Sequence, residues 1–453
     1  MICWTIIAGN LASCGVVARQ GEKLADLQKH EGSVGRFGRP TETEMLWAKA
    51  AWRYVENNTN PENGLVNGLD RYPVFSMSQV ADYLAALAAA RSFQLIDARE
   101  FDQRMSRLLK FLNTMELSEN SVPARLYNAM TGKMVNQENQ PGDIGWSAIE
   151  VGRLLTWMKI IGLRFPQYRE YLDKAVLRWN FCQVVDDCGV MHAVSRGKDG
   201  RKRYQEGRLG YEQSAAAGFA AWGFDARRVW SSMRTETVSI LGIPLEYDAR
   251  DPRTTGAQAP VVTVPYVLLG MEYGWRYPGT EQRLDLHRYA DRVYRVQEAR
   301  HAEQGILTAR TDYAIRKEPF HVIDAIYAAG FPWNTVDESG KRHEEMALVS
   351  TRAAFGMWAL WPTPYADRLM RSVRQLYNPE RGWYEGRFEK TGEVLESLSL
   401  ETNAMVLETL LFKAYGQLHP ENAAPGYFDR RTSDPFLPTK QCLPPERKMC
   451  AAP

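Results

Sequence analysis

At 453 residues, with 45% hydrophobic and 24% charged side chains, the chain has soluble globular composition and can bury a large core. A formal net charge of +2 gives no polyanion-binding footprint, so nucleic acid is not an expected partner. Its 13 Trp and 21 Tyr would suit flat sugar faces, and would equally suit simple core filling.

Met1 to Ala8 form a short apolar run, and Leu11-Ala12-Ser13-Cys14 is similar to a bacterial lipobox, in which the Cys thiol takes a diacylglycerol. Residues 1–18 are therefore expected to be an export or lipoprotein signal with Cys14 lipidated. That implies a periplasmic or outer-envelope location with membrane anchoring through the lipid. The run is too short to span a membrane, and no later segment has the necessary uninterrupted apolar length. Residues 19–41 are polar and Gly-rich and read as a tether.

From Glu42 onward, helical periodicity recurs with short loops. Ser76 and Gln79 have capping-box spacing ahead of Val80, Tyr83, Leu84 and Leu87. Phe101, Met105, Leu108, Leu109 and Leu112 make a second stripe; Val151, Leu154, Leu155, Met158 and Ile161 make a third, starting near Ser147. Later helices are expected near Tyr211, Val264, Asp285, Thr351, Tyr365 and Thr402. Short strands are expected at 181–185, 190–194, 306–308 and in the G-W-Y-E-G-R-F segment (382–388). The domain ends near residue 420, and the proline-rich tail (421–453) is an ordered wrap or flexible, not a domain.

Four of the six cysteines fit an exported chain, where an even count suggests disulfides. Cys182 and Cys188 flank a turn, and Cys442 and Cys450 would clip the tail; four unrelated thiols are the alternative. Histidines are few and scattered, so no metal or cofactor is expected. The segment from Asn60 to Gly68 echoes that from Asn378 to Gly386 at Asn, Pro, Glu and both Gly positions. Such an echo suits a ring of helical hairpins whose equivalent loops share one rim, although N-P-x-x-G is also ordinary turn chemistry.

The segments N-P-E-N-G-L-V (60–66), G-W-S-A-I-E-V-G-R-L-L (145–155), E-G-R-L-G-Y-E-Q (206–213), P-F-H-V-I-D-A-I-Y-A-A-G-F-P-W-N (319–334), S-T-R-A-A-F-G (350–356) and N-P-E-R-G-W-Y-E-G (378–386) resemble the bacterial domain-of-unknown-function family 3131, over about residues 43–418. More distantly, N-G-L-V, Asp70-Arg71-Tyr72-Pro73, S-A-I-E and G-Y-E-Q look like the pattern of glucoamylase-like β-1,2-glucanases. That resemblance implies a mostly α fold, an (α/α) toroid of helical hairpins over residues 42–420, with short β-hairpins on the rim. The sequence departs from the pattern in two places: Gly68-Leu69 is inserted before Asp70, and Glu150 stands where those enzymes carry Asp.

Glycosidic hydrolysis needs a protonated acid at the leaving oxygen and a second carboxylate that activates water or attacks carbon. Glu212 is the first candidate for the acid, on the motif match; its plainer role is a carboxylate at a helix N-terminus. Asp143 and Glu150 are candidates for the base, Asp143 competing with Ser147 for a capping role. Asp70, Arg71, Glu206 and Tyr211 suit sugar-hydroxyl binding, with an Asp70–Arg71 or Glu206–Arg208 salt bridge as the alternative. Trp333 with Asn334, and Trp383 with Tyr384, read as stacking walls. No H-E-x-x-H, G-x-S-x-G or phosphate-loop motif competes. The resemblance thus implies a glycoside hydrolase acting on a β-glucan or exopolysaccharide, with an inverting mechanism, and the N-terminal segment adds export. The alternatives are a non-catalytic polysaccharide-binding or export-assembly protein, or a polysaccharide lyase.

Overall fold

The computed structural model describes residues 35–420 except 199, 232–233, 251–258 and 277–285, together with 423 and 441–447. The signal segment with Cys14, most of the tail and Cys450 lie outside the described residues. The chain is mostly helical with small sheets. Its helices are α1 (Glu42–Asn58), α2 (Met77–Ser92), α3 (Ala98–Thr114), α4 (Ala148–Arg164), α5 (Arg169–Leu177), α6 (Tyr211–Ala221), α7 (Arg227–Ser231), α8 (Val264–Tyr273), α9 (Leu286–Gln304), α10 (Thr351–Leu360), α11 (Pro364–Val373) and α12 (Leu400–Tyr415).

The helices alternate in character. Even-numbered ones are buried almost all round: α6 is Y-E-Q-S-A-A-A-G-F-A-A with ten of its eleven residues buried, and α8 is buried at every position. Odd-numbered ones are amphipathic; α3 buries Phe101, Met105, Leu108, Leu109, Phe111 and Leu112 and turns its charged residues outward. Contacts explain the difference. The even helices touch in a closed cycle, α2–α4–α6–α8–α10–α12 and back to α2, and the odd helices pack outside it. No helix among the described residues is long and apolar enough to cross a membrane.

Short side chains allow the cycle to close. Gly152 of α4 faces Ala215 of α6, and Gly218 of α6 faces the Gly152 carbonyl. A Cβ added at Gly218 would lie 2.0 Å from that oxygen, so the α4 and α6 backbones approach where neither carries a side chain.

Hydroxyls fix where several inner helices begin. Ser76, Ser147, Ser350 and Ser399 each accept a hydrogen bond from a backbone N–H in the first turn of α2, α4, α10 and α12. Short strands lead into three of these caps: Val74–Ser76 pairs with Leu126–Asn128, Gly145–Trp146 with the hairpin His192–Gly197/Gly200–Gln205, and Leu348–Ser350 with Gly386–Phe388. Small sheets therefore gather at the N-terminal ends of the inner helices. Residues 181–185 and 306–308 form no strand; the apolar run at Phe181 is instead buried against Phe219 and Phe224.

Three sequence expectations need correction or gain detail here. Cys182 bonds Cys442 across 260 residues, not its neighbour Cys188, which is itself disulfide-bonded. Proximity in sequence misled because residues 441–447 return to the body, where Phe181 N–H donates to the Gln441 carbonyl. Residues 35–39 are not a free tether: Arg36 N–H donates to Ala359, and its guanidinium bonds the Trp358 carbonyl and Asp367. The second echoed loop meets both flanks of the first, since Asn57 donates to the Glu380 carbonyl and Arg381 reaches Asp70 at 2.8 Å.

Gly218→Ala is expected to destabilise the fold by about 1–3 kcal/mol, the usual range for overpacking. A lower urea midpoint at unchanged m-value would be the readout; an unaltered midpoint would show that α4 and α6 can separate freely.

Candidate active site

A cleft of about 310 Å³ opens where the inner helices begin. Ser76, Ser78 and Asp82 reach it from α2 and its cap, Ser147, Glu150 and Arg153 from α4, and Tyr211 and Ser214 from α6. Val264 and Leu268 come from α8, Arg352 from α10, and Glu401, Met405 and Glu408 from α12. Loops and hairpins add Arg125, Glu206, Arg208, Asp312, Tyr313, His321 and Glu338. All six inner helices thus contribute to one hollow, and its lining is dominated by charge.

Glu150 is in the first turn of α4, directly behind the Ser147 cap, whose Oγ accepts its N–H at 3.2 Å. Burial pushes the Glu150 carboxyl up to about 7; Arg125 opposes that and nearby Glu206 adds to it. Its Oε2 is buried and has no hydrogen-bond partner among the described residues. The Met77 backbone N–H favours the ionised carboxylate but does not offset burial, and a substrate oxygen at Oε2 would find a donor. Beside it, Glu206 is fixed by Ser147 Oγ at 2.9 Å, Ile149 N–H at 3.1 Å and Arg125 at 3.4 Å.

The other acid centre is Asp312. It accepts the Tyr211 hydroxyl at 2.7 Å, lies 3.4 Å from Arg352 and 3.7 Å from His321, and keeps some exposure to the cleft. Burial works to raise its pKa, but His321, Arg352 and Tyr211 together hold the carboxyl well below the usual range. His321 is also lowered by burial, yet Asp312 and Glu338, the latter at 3.3 Å, raise it to about 9. Arg352, held to Glu401 at 3.0 Å, starts α10, which lies opposite α4 in the six-membered cycle. A carboxyl that still holds a proton near pH 7 and a fixed carboxylate therefore line the same hollow. Below them Arg153 bonds Asp82 at 3.2 Å and Glu408 at 3.0 Å and also pairs with Glu272.

Of the residues singled out from sequence, Glu150, Glu206 and Tyr211 line this cleft. Glu212 does not. It is 2% exposed, and its Oε2 is bound at 2.8 Å by Arg250, which also holds Asp248 on the 243–248 strand. An ion pair thus occupies the carboxylate first expected to be the acid. Asp143 is likewise committed, accepting from Ser118 Oγ at 2.8 Å and Gly145 N–H at 2.9 Å. Helix α4 begins only at Ala148, with Ser147 as its cap.

The expected aromatic walls are elsewhere. Trp383 is fully buried, donates to the Trp47 carbonyl and packs on Trp47 and Phe355. Tyr384 packs on the core, and its carbonyl accepts from Thr351 Oγ1. Trp333 lies under Arg300 at 4.3 Å, and Asn334 bonds the Ala328 carbonyl. Asp70 and Arg71 lie outside the cleft lining, on the loop where Leu69 pairs with Ser399, the cap of α12.

Asp82, Asp312, His321, Glu338, Arg352 and Glu401 escaped sequence reading. For two of them a signal was present: S-T-R-A-A-F-G carries Arg352 behind a Ser cap, and P-F-H-V-I-D carries His321.

The family described as Protein of unknown function (DUF3131) matches residues 46–416. No curated protein matches the chain. Among solved structures, an endo-β-1,2-glucanase from Chitinophaga pinensis, in complex with sophorotriose and glucose, is similar at TM-score 0.61 and 11% identity, over 83% of this chain and 93% of that one. A β-1,2-glucanase from Parabacteroides distasonis aligns at 0.59 and 13%, over 83% and 57%. An endo-β-1,2-glucanase from Talaromyces funiculosus bound to sophorose aligns at 0.52 and 10%, over 84% of each chain. At such identities the likeness is one of fold.

Burial also raises Asp82 and Glu385 to about 7. A carboxyl raised in the folded state contributes stability below its unfolded pKa and loses it as pH rises through the folded value. The melting temperature should therefore fall between pH 5 and pH 8. Glu150→Gln, which removes one of these titrations while Asp324 and His321 keep theirs, should fall less over the same window. Parallel melting curves for both proteins would contradict that assignment.

Proposed function

The chain belongs to the DUF3131 family, and from that premise we propose that it is a glycoside hydrolase on an (α/α) toroid, acting on a β-glucan. The observation that carries this reading is Glu150: a cleft carboxyl raised to about 7 whose Oε2 has no partner. It is suited to give a proton to a glycosidic oxygen. The closed helical cycle and the likeness in fold to β-1,2-glucanases support the toroid and the substrate class.

Glu150 is the general acid in this mechanism. Asp312, ionised and lining the same cleft, accepts a proton from the attacking water, with Tyr211 and His321 fixing its orientation. Water enters from the face opposite the leaving group, the anomeric carbon inverts, and the proton from Glu150 goes to the departing sugar. Glu206 and Arg125 hold the surroundings of the acid and bind sugar hydroxyls. A lyase would instead need a tyrosinate or a neutral histidine as base. Burial and Asp312 raise Tyr211 well above its ordinary value and His321 is raised to about 9, which argues against that alternative. The Cys182–Cys442 disulfide supports export to an oxidising compartment.

Reducing ends released from linear β-1,2-glucan are the direct assay. Glu150→Gln should lower kcat by about 10²–10⁴-fold, the usual contribution of a general acid. Wild-type activity should decline as pH rises through about 7, where the proton is lost. Glu212→Gln should retain most turnover while melting earlier, because Arg250 loses a buried partner. A Glu150→Gln enzyme with undiminished turnover would remove the assignment. The first product anomer seen by NMR should be α.

A further inference from the structure

We propose that the rim of this cleft carries an outer subsite for an acidic group, so that the preferred glycan is anionic. The inference rests on the carbohydrate reading above and adds its substrate class.

Two guanidiniums gather round the Asp70 carboxylate on the 70–72 loop, and a third reaches the same residue's backbone. Arg381 lies 2.8 Å from Asp70 Oδ2, Arg71 lies 3.9 Å from it, and Arg316 donates to the Asp70 carbonyl at 3.4 Å while covering the Tyr72 ring. Glu138 opposes Arg316 at Tyr72, so the groups joined at this loop are three guanidiniums and two carboxylates. The Arg71 side chain is 78% exposed, far more than pairing with Asp70 requires. Its backbone sits at φ 56°, a conformation costly for a non-glycine residue, and is held there by the Asn58 side chain, which accepts its N–H at 2.9 Å. Asn58 Nδ2 donates to Asp70 Oδ1 at 3.1 Å, so one amide fixes both residues. An exposed cation on a constrained backbone is built for presentation.

The loop adjoins segments that line the cleft. Leu69 pairs with Ser399, two residues before cleft-lining Glu401, and Arg316 follows cleft-lining Ala314 by two. Phe320, 59% exposed, is on the same turn as Arg316 and offers a flat apolar face. Inside, Arg208 lines the cleft and makes no salt bridge among the described residues, though Tyr211 and Glu338 feel its charge. The aromatic lining of the cleft is Tyr211 and Tyr313, the Trp candidates being in the core. Recognition therefore depends on charge and hydrogen bonds more than on stacking. A carboxylate or a phosphate on the glycan supplies the matching chemistry.

The test uses the full chain and three β-1,2-linked gluco-oligosaccharides of equal length: neutral, bearing one succinyl half-ester, and bearing one phosphate monoester. Calorimetric titration should give at least one anionic probe about 10-fold tighter binding than the neutral one at low salt, shrinking toward parity near 0.3 M salt as screening shortens. Which acidic probe gains more distinguishes carboxylate from phosphate. Arg71→Ala with Arg316→Ala should bring the ratio to about 1, and Arg316→Lys should restore part of it. Equal binding of all three probes by the wild type, no binding of either anionic probe, or a preference that survives the double substitution overturns the proposal. Turnover is read separately: preference without hydrolysis would remove the enzymatic reading and keep the rim, and hydrolysis without preference would do the reverse.

Discussion

The structure depends on the convergence of six helix N-termini around one hollow. Each brings unsatisfied N–H groups and a positive dipole end, and each must be capped or given an anion. Ser76, Ser147, Ser350 and Ser399 satisfy part of that demand, and the first turns add Glu150 and Glu401. Acid side chains can gather there because the backbone already favours negative charge. The outer helices, the glycine contact between α4 and α6 and the small sheets serve to hold those ends together.

Within that field the acids have separated by environment. Glu150 is buried without a hydrogen-bond partner at Oε2, which favours its neutral form. Asp312 is buried too, but Arg352, His321 and Tyr211 surround it, which favours its charged form. The same desolvation therefore yields opposite protonation states, depending on what stands within hydrogen-bond reach. Two carboxyl groups with divergent affinities for a proton, lining one cleft, are the property on which the proposed acid–base roles rest. Glu212 makes the contrasting case: burial raises it, and Arg250 makes it part of the framework.

The helical organisation was legible because it is written locally. Ser76 with Gln79, and Ser147 ahead of Val151, Leu154 and Leu155, state where helices start and which face is apolar. The site was less legible, because its partners are remote in sequence. Asp312 meets Tyr211 across 101 positions and Arg153 meets Glu408 across 255, distances over which no spacing rule operates. Glu212 drew attention through a motif, but a motif fixes the residue and not the direction of its side chain. Trp383 drew attention through its echo of the first N-P-E loop. In the structure Leu65 stands at the equivalent position, both are buried, and the echo records a shared turn. Asn60 and Asn378 each accept the N–H two residues on, at 2.9 Å, so what repeats is backbone chemistry.

The bond between Cys182 and Cys442 joins the middle of the chain to a segment that follows α12, so α6 to α12 lie on a covalently closed circuit. A protease that cuts one surface loop within that circuit produces two termini but no separate fragment, and the helical cycle keeps all its members. A nicked molecule would remain a single species until the bond is reduced, and would show its cut only on a reducing gel.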